Sequence, residues 1–104
     1  MYEVKVCGNL SAHMALKEMK LGKIVRRFFN NKPEEFYKYG GNGIILKAET
    51  EGAASDNVWS VILIRAERAG LSFPGRTPIL EFNQFLNSTF NVVTFQTHVR
   101  VIYE

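Results

Sequence analysis

The chain has 104 residues, of which 46% are hydrophobic and 22% charged, a composition that excludes a disordered protein and fits one globular domain. Thirteen Lys and Arg residues against ten Asp and Glu give a formal net charge of +3, a mild excess that favours anionic partners. The single cysteine, Cys7, excludes an intramolecular disulfide, and no apolar stretch approaches the length of a membrane span. We therefore expect one domain over residues 1–104, a cytoplasmic protein without membrane contact, and a homo-oligomer, because so short a chain leaves much surface exposed.

The first elements switch from a strand pattern to a helix pattern and back. "YEVKV", residues 2–6, alternates apolar with charged residues and predicts a half-exposed strand. Alanine, leucine and methionine then recur at helical spacing, which predicts a helix from about Ser11 to Leu21. The apolar stripe breaks at Gly22, and glycine favours a left-handed helix end. We therefore expect a new extended element from Lys23 to Phe29.

The middle of the chain predicts a short helix and two strands. Pro33 with two following glutamates is typical of a first helical turn, which Gly40 and Gly41 would end, while "GGNG" indicates a hairpin or capping loop. "IILKAETE", from residue 44, predicts a strand with a charged outer face, and "EGAASDN" has the composition of a loop. "VWSVILIRAE", residues 58–67, is apolar on both faces and predicts the central strand.

The C-terminal third predicts one helix and one strand. Thr77 before Pro78 suits a helix start, and apolar residues between 79 and 86 provide the buried side. "VVTFQTHVRVIY", residues 92–103, predicts the last strand. The order of elements predicts an α+β fold, with an antiparallel or mixed sheet of four to five strands and two helices packed on one face. A ferredoxin-like arrangement is the first expectation, and an irregular meander with one long helix is the alternative.

The sequence offers no constellation for catalysis. A hydrolase or transferase needs a nucleophile with a base, a pair of carboxylates or a metal cluster, and none of these is apparent. His13 and His98 lie in different predicted elements without a flanking carboxylate motif. We therefore expect a protein that is not an enzyme and that holds neither a metal nor a cofactor.

The segment "KIVRRFFNNK", residues 23–32, carries the candidate ligand-binding residues. Arginine offers a fork of donors for phosphate, a phenyl ring offers a stacking face for a base, and an asparagine amide reads a base or ribose edge. In the structural alternative, the phenylalanines are core residues and the arginines are solvated or paired with Glu34 and Glu35. The candidate residues are Arg26, Arg27, Phe29, Asn30 and Asn31.

"ALKEMKLGKIVRR", residues 15–27, resembles the opening of the second phage anti-Thoeris nucleotide-sponge family. Members of that family begin with an Ala-Leu-x-x-Leu-Lys-x-Gly helix, a Val-x-Arg strand and a Trp-Asn-Gly turn. In this comparison Phe29 stands near the tryptophan and Asn30 near the asparagine, and the C-terminal "RVIYE" resembles the closing strand. This chain has an additional strand before the helix and lacks the Trp-Asn-Gly turn as such.

The resemblance implies a non-enzymatic phage anti-defence protein, acting in the host cell cytoplasm, whose oligomer traps a nucleotide-type signalling molecule between subunits. A small basic nucleic-acid-binding protein is a second hypothesis, which predicts an open basic track through Lys17, Lys20 and Lys23 to the two arginines. A protein-binding inhibitor or adaptor is the third, which predicts an exposed apolar patch from residues such as Phe73, Phe85 or Phe90.

Overall fold

A computed structural model of the chain describes residues 2–67, 70–72 and 79–96, and within them the side chains of residues 9–62, 64 and 83–95. Seven strands and three helices follow one another in this described part. In chain order they are β1 (Tyr2–Leu10), α1 (Ala12–Lys20), β2 (Ile24–Phe29), β3 (Lys32–Gly41), β4 (Ile44–Ala48), α2 (Glu51–Ser55), β5 (Ser60–Glu67), β6 (Gly70–Ser72), α3 (Ile79–Leu86) and β7 (Thr89–Gln96).

The seven described strands form one sheet in the order β1-β7-β2-β3-β4-β5-β6, and all neighbours are antiparallel. The predicted α+β class with an antiparallel sheet is confirmed, but the counts of four to five strands and two helices are too low. The ferredoxin-like expectation is wrong, because that arrangement interleaves the strands of two split βαβ units, and the order of the described strands does not. The meander alternative is closer, since β2 to β6 are consecutive neighbours and β7 lies between β1 and β2.

Helix α1 and its two ends agree with the sequence prediction. The Ser11 hydroxyl accepts a hydrogen bond from the backbone N–H of Met14 at 3.3 Å, which caps the first turn. At the other end, Gly22 has φ +90° and its N–H donates to the Met19 carbonyl at 2.9 Å. A residue with a Cβ is strained at this φ, so glycine ends the helix here. The chain then extends as β2, which confirms the break at Gly22.

Two short turns join β2 to β3 and β3 to β4. Asn30 and Asn31 have φ of +51° and +61°, and Asn42 and Gly43 have φ of +54° and +77°. Two successive residues with positive φ are the signature of the hairpin turn whose twist matches that of the flanking strands, and asparagine tolerates this region better than other side chains. The hairpin interpretation of "GGNG" is therefore confirmed.

The short helix predicted to begin at Pro33 is wrong, because Lys32–Gly41 is strand β3. Pro33 pairs with Phe28 near the start of β3, before the first pair of β3 with β4 at Phe36. At this position β2 is the one described neighbour of β3, and a strand tolerates proline, which has no backbone N–H, where only one side is paired. The aromatic run Phe36, Tyr37 and Tyr39 favours a strand, and this propensity outweighs the proline and glutamate signal.

Two further predictions in the middle of the chain are wrong. Strand β4 ends at Ala48, so Glu49 and Glu51 do not form its charged outer face, and "EGAASDN" contains helix α2 instead of a loop. The Thr50 hydroxyl caps α2 by accepting from the backbone N–H of Ala53 at 3.0 Å. Strand β5 is second from the edge, and the central strand of the sheet is β3.

The C-terminal helix and strand are confirmed where the structure describes them. Helix α3 has the predicted position, and Phe85 on its buried side is 3% exposed. Strand β7 begins three residues before the predicted start, at Thr89. Thr77, Pro78 and the predicted continuation of the strand through His98 lie outside the described residues.

The sheet separates two clusters of buried apolar side chains. Val25, Tyr37 and Val92 alternate with Ile24, Phe36 and Val93 along three neighbouring strands, so the two sets face opposite sides. The first set packs against α1 and α3, which therefore share one face as predicted. The second set packs against α2, Trp59 and Phe95 on the other face. Below, these are called the α1 face and the α2 face.

Candidate functional site

The five candidate residues lie along the β2–β3 hairpin but do not converge on one point. The strand alternation places Arg26 on the α2 face and Arg27 on the α1 face. Asn30 and Asn31 form the exposed turn, where their positive φ gives them a backbone role. Phe29 is the last residue of β2 and is partly buried. A ligand that contacts all five would have to reach both faces of the sheet.

Arg26 packs on aromatic rings of the α2 face. Its guanidinium carbon lies 4.6 Å from the centre of the Phe36 ring and 5.9 Å from that of Phe28. A guanidinium at these distances is attracted by the negative face of the ring, and the attraction grows as water is excluded. Phe36 is itself fully buried, and its ring centre lies 5.5 Å from that of Phe95. Arg26 therefore covers the end of the α2 cluster.

Arg27 is the centre of a polar network on the α1 face. Its guanidinium donates to the Glu35 carboxylate at 2.7 Å, to the Tyr37 hydroxyl at 3.2 Å and to the Ser88 hydroxyl at 3.2 Å. The Tyr37 hydroxyl in turn donates to the same Glu35 oxygen at 3.2 Å. The Arg27 side chain is only 11% exposed, so its donors are directed at protein acceptors. The structural alternative of an ion pair with Glu35 is realised.

The network shifts the titration of its three ionisable groups. Burial opposes the charge of Glu35, but the hydrogen bond and charge of Arg27 outweigh it and lower the pKa of the carboxyl. Burial also opposes the charge of Arg27, but Tyr37 and Glu35 outweigh it and raise the pKa of the guanidinium. Burial raises the pKa of the Tyr37 phenol well above its ordinary value, so the hydroxyl remains a donor. The network is therefore an ion pair with a neutral tyrosine at neutral pH.

We expect acid to weaken the fold through Glu35. Its folded pKa lies below the unfolded value of 4.5, so its contribution is complete above that pH and is lost as the pH falls through the folded pKa. Urea unfolding of the parent and of Glu35→Gln should show a difference in unfolding free energy at pH 7 that shrinks steadily below about pH 4.5. A difference that stays constant down to pH 3 would contradict the coupling between this carboxyl and the fold.

A cleft of about 460 Å³ lies on the α2 face, between the junction of α1 with β2, the end of α2 and strand β7. Ile24, Ala54, Val93 and Phe95 provide an apolar lining, and two of them are almost fully buried. The polar lining residues are Lys23, Ser55, Asn57 and Thr94. An apolar cavity with a few polar groups at its rim is typical of a site for a small molecule.

Asn57 has a fixed orientation at the rim of the cleft. Its side-chain oxygen accepts from the Lys38 ammonium and from the Trp59 ring N–H, both at 2.9 Å. The Lys38 ammonium also lies 4.5 Å from the centre of the Trp59 ring. Because two donors occupy the oxygen end of the amide, the Nδ2 end is the one that can donate to a ligand. A lysine and a tryptophan thus orient this amide without entering the cleft lining.

Lys23 brings the positive charge at the rim of the cleft. Its ammonium lies 2.8 Å from the Glu18 carboxylate, and its side chain is 48% exposed. The carbonyl end of α1 carries partial negative charge at this junction, which Lys17 and Lys20 in the last turn and Lys23 itself offset. An exposed ion pair of this kind is weak, so an anionic ligand can compete with Glu18 for the ammonium at little cost.

None of the five candidate residues lines the cleft, and of the segment 23–32 only Lys23 and Ile24 do so. Lys23 belongs to the predicted extended element, whereas Ser55 and Asn57 come from the stretch interpreted as a loop. The Thr50 cap followed by Glu51 was a usable signal for α2, and α2 is the element that closes the cleft.

Comparison with protein-family models, with curated proteins and with solved structures gave no match.

The described residues provide no metal site and little of a basic track. Among them, no group of three or more His, Cys, Asp or Glu side chains comes close enough to hold a metal ion. Of the cations predicted for a nucleic-acid track, Lys17 and Lys20 are exposed on α1, while Lys23 pairs with Glu18 and the Arg27 side chain is only 11% exposed. Within the described part of the chain, no helix has the length and apolarity that crossing a bilayer requires.

Proposed function

We propose that the protein is a non-enzymatic binding protein that holds a small nucleotide-type anion in the cleft on the α2 face. The observation that carries the proposal is the cleft itself, because its volume of about 460 Å³ lies within the range of small-molecule sites. The cleft combines apolar lining residues, which a base can contact, with one cation, which a phosphate can bind. The formal net charge of +3 further favours an anionic ligand.

Each part of such a ligand has a partner in the cleft. The ring of Phe95 and the side chains of Ile24 and Val93 offer apolar contact for a base. The Lys23 ammonium is a point charge for a phosphate, and the Asn57 amide and the Ser55 hydroxyl can read polar edges. None of these groups is a nucleophile with an adjacent base, so binding without turnover is the chemistry we assign.

The biological role that we propose is sequestration of a nucleotide-type signal, as in a phage anti-defence sponge. The resemblance of residues 15–27 to that family supports this role, and these residues straddle Gly22 and Lys23 at the edge of the cleft. A sponge needs affinity and abundance but no catalytic group. The burial of Arg27 disfavours the nucleic-acid alternative, which needs an open track of cations. Phe85 and Phe90 are buried, which disfavours an apolar docking patch built on them, and Phe73 lies outside the described residues.

Calorimetry with cyclic and linear nucleotides tests the proposal directly. Lys23→Gln should weaken binding roughly fivefold, because an exposed charge-assisted contact contributes about 1 kcal/mol. Ser55→Trp should abolish binding by filling the cleft, since Ser55 is partly buried in its lining. Lys20→Gln is the matched control, because it removes the same charge from the exposed side of α1 and should bind like the parent.

Native mass spectrometry of protein purified from cells supplies a second readout. A retained ligand that is recovered intact after denaturation supports binding without turnover, and a cleaved product would contradict it. Parent-like affinity in folded Lys23→Gln and Ser55→Trp proteins would place the ligand elsewhere. Failure of the parent to bind any nucleotide would overturn the assignment of the ligand class.

A further inference from the structure

Strand β1 is an outer strand of the described sheet, and one of its edges is not paired with any described strand. It pairs with β7 on one side, and on its other side no strand among the described residues pairs with it. The pairs from Tyr2–Gln96 to Lys5–Val93 are regular, and register shifts begin only after Lys5. A regular edge strand presents a row of backbone donors and acceptors that another strand can satisfy. The first residues of β1 are therefore a template for strand addition.

The charge pattern of β1 favours β1 of a second copy of the chain as the added strand. Two copies of one strand that pair antiparallel about a two-fold axis must place one residue opposite itself, because neighbouring residues direct their backbone groups to opposite sides. With Glu3 or Lys5 on the axis, two like charges meet. With Val4 on the axis, Glu3 of each copy lies opposite Lys5 of the other, and Tyr2 lies opposite Val6. Opposite charges directly across an antiparallel pair stabilise it, and like charges destabilise it.

We propose that a second copy of this chain pairs with β1 over Tyr2–Val6, with Val4 on the two-fold axis. The two seven-stranded sheets then join into one continuous sheet. An antiparallel strand pair has its two-fold axis perpendicular to the sheet, so the α2 faces of both copies lie on the same side. The proposal rests on the edge and the charges of β1 and does not depend on the ligand assigned to the cleft.

Charge reversal at the two paired positions tests this register. In size-exclusion chromatography with light scattering, the parent should have the mass of a dimer, while Glu3→Lys and Lys5→Glu should each be monomers because like charges then face each other. An equimolar mixture of the two single variants should recover a dimer that contains one of each. The double variant Glu3→Lys with Lys5→Glu should also be a dimer, since complementarity is restored.

Glu49→Lys serves as the control, because Glu49 is exposed and lies outside β1. It makes the same charge change as Glu3→Lys and should leave the dimer intact. Raising the salt concentration should weaken the parent dimer, because salt screens the paired charges. A monomeric parent, single variants that remain dimers, or a double variant that stays monomeric would each overturn the proposal.

Discussion

Replacing Phe90 with alanine is expected to lower the free energy of unfolding by about 4 kcal/mol, because large-to-small changes of a buried phenylalanine cost about 3 to 5 kcal/mol. Phe90 is fully buried on the α1 face. Its ring centre lies 5.1 Å from that of Phe85 and 6.4 Å from that of Tyr37, in tilted and edge-on geometries that add to the burial. Urea or thermal unfolding followed by circular dichroism measures the loss.

Two matched variants make the result specific to the core. Phe90→Leu keeps most of the volume and should cost about half as much as the alanine change. Leu21→Ala removes an apolar side chain that is 73% exposed, and it should change stability by less than about 0.5 kcal/mol. A Phe90→Ala protein as stable as Leu21→Ala would show that Phe90 does not lie at the centre of the α1-face core.

Replacing Arg27 with alanine is expected to cost about 3 kcal/mol of stability, because it leaves the Glu35 carboxylate partly buried without its partner. The Tyr37 and Ser88 hydroxyls lose a donor in the same change. The unfolding free energy of the variant at neutral pH, measured in urea, gives the cost. The same protein should show little of the acid sensitivity of the parent, since the carboxyl has lost the charge that lowers its pKa.

A second ion pair in the same chain provides the contrast. The Lys23–Glu18 distance of 2.8 Å is nearly equal to the Arg27–Glu35 distance of 2.7 Å, but the Lys23 side chain is 48% exposed and that of Arg27 only 11%. Lys23→Ala should therefore cost less than about 1 kcal/mol. Replacing both partners of the buried pair, with Arg27→Met and Glu35→Gln, should cost less than Arg27→Ala alone. If Arg27→Ala were fully stable and yet lost all ligand binding, the guanidinium would belong to the site instead of the fold.

The elements that the sequence predicts well are those with local signals. The helical spacing of α1 and the break at Gly22 act within a few residues of one another, and both are observed. The β3 strand was missed because a local signal at Pro33 conflicts with the aromatic propensity that begins at Phe36. The order of the sheet depends on pairs between residues more than eighty positions apart, such as Tyr2 and Gln96, which no local pattern specifies.

In the candidate site, too, local sequence signals predict some features, and contacts between distant residues determine the others. An ion pair of an arginine with a neighbouring glutamate was among the alternatives, and Arg27 forms it with Glu35. The cleft joins residues of β2, α2 and β7, which meet only in the folded chain. Asn57 was out of reach of sequence reasoning, because its orientation depends on Lys38, nineteen residues away.

The position of β7 between β1 and β2 sets the order in which this protein can acquire its structure during synthesis. Strand β1 is made first, but its one described neighbour is β7, which is the last described strand. Until β7 leaves the ribosome, α1 lacks Phe90 and Val92 from its core, and β1 has no described neighbour. The hairpins from β2 to β6 can form earlier because their partners are adjacent. The nascent chain therefore holds β1 unpaired until β7 is available, and in that interval it depends most on protection from aggregation.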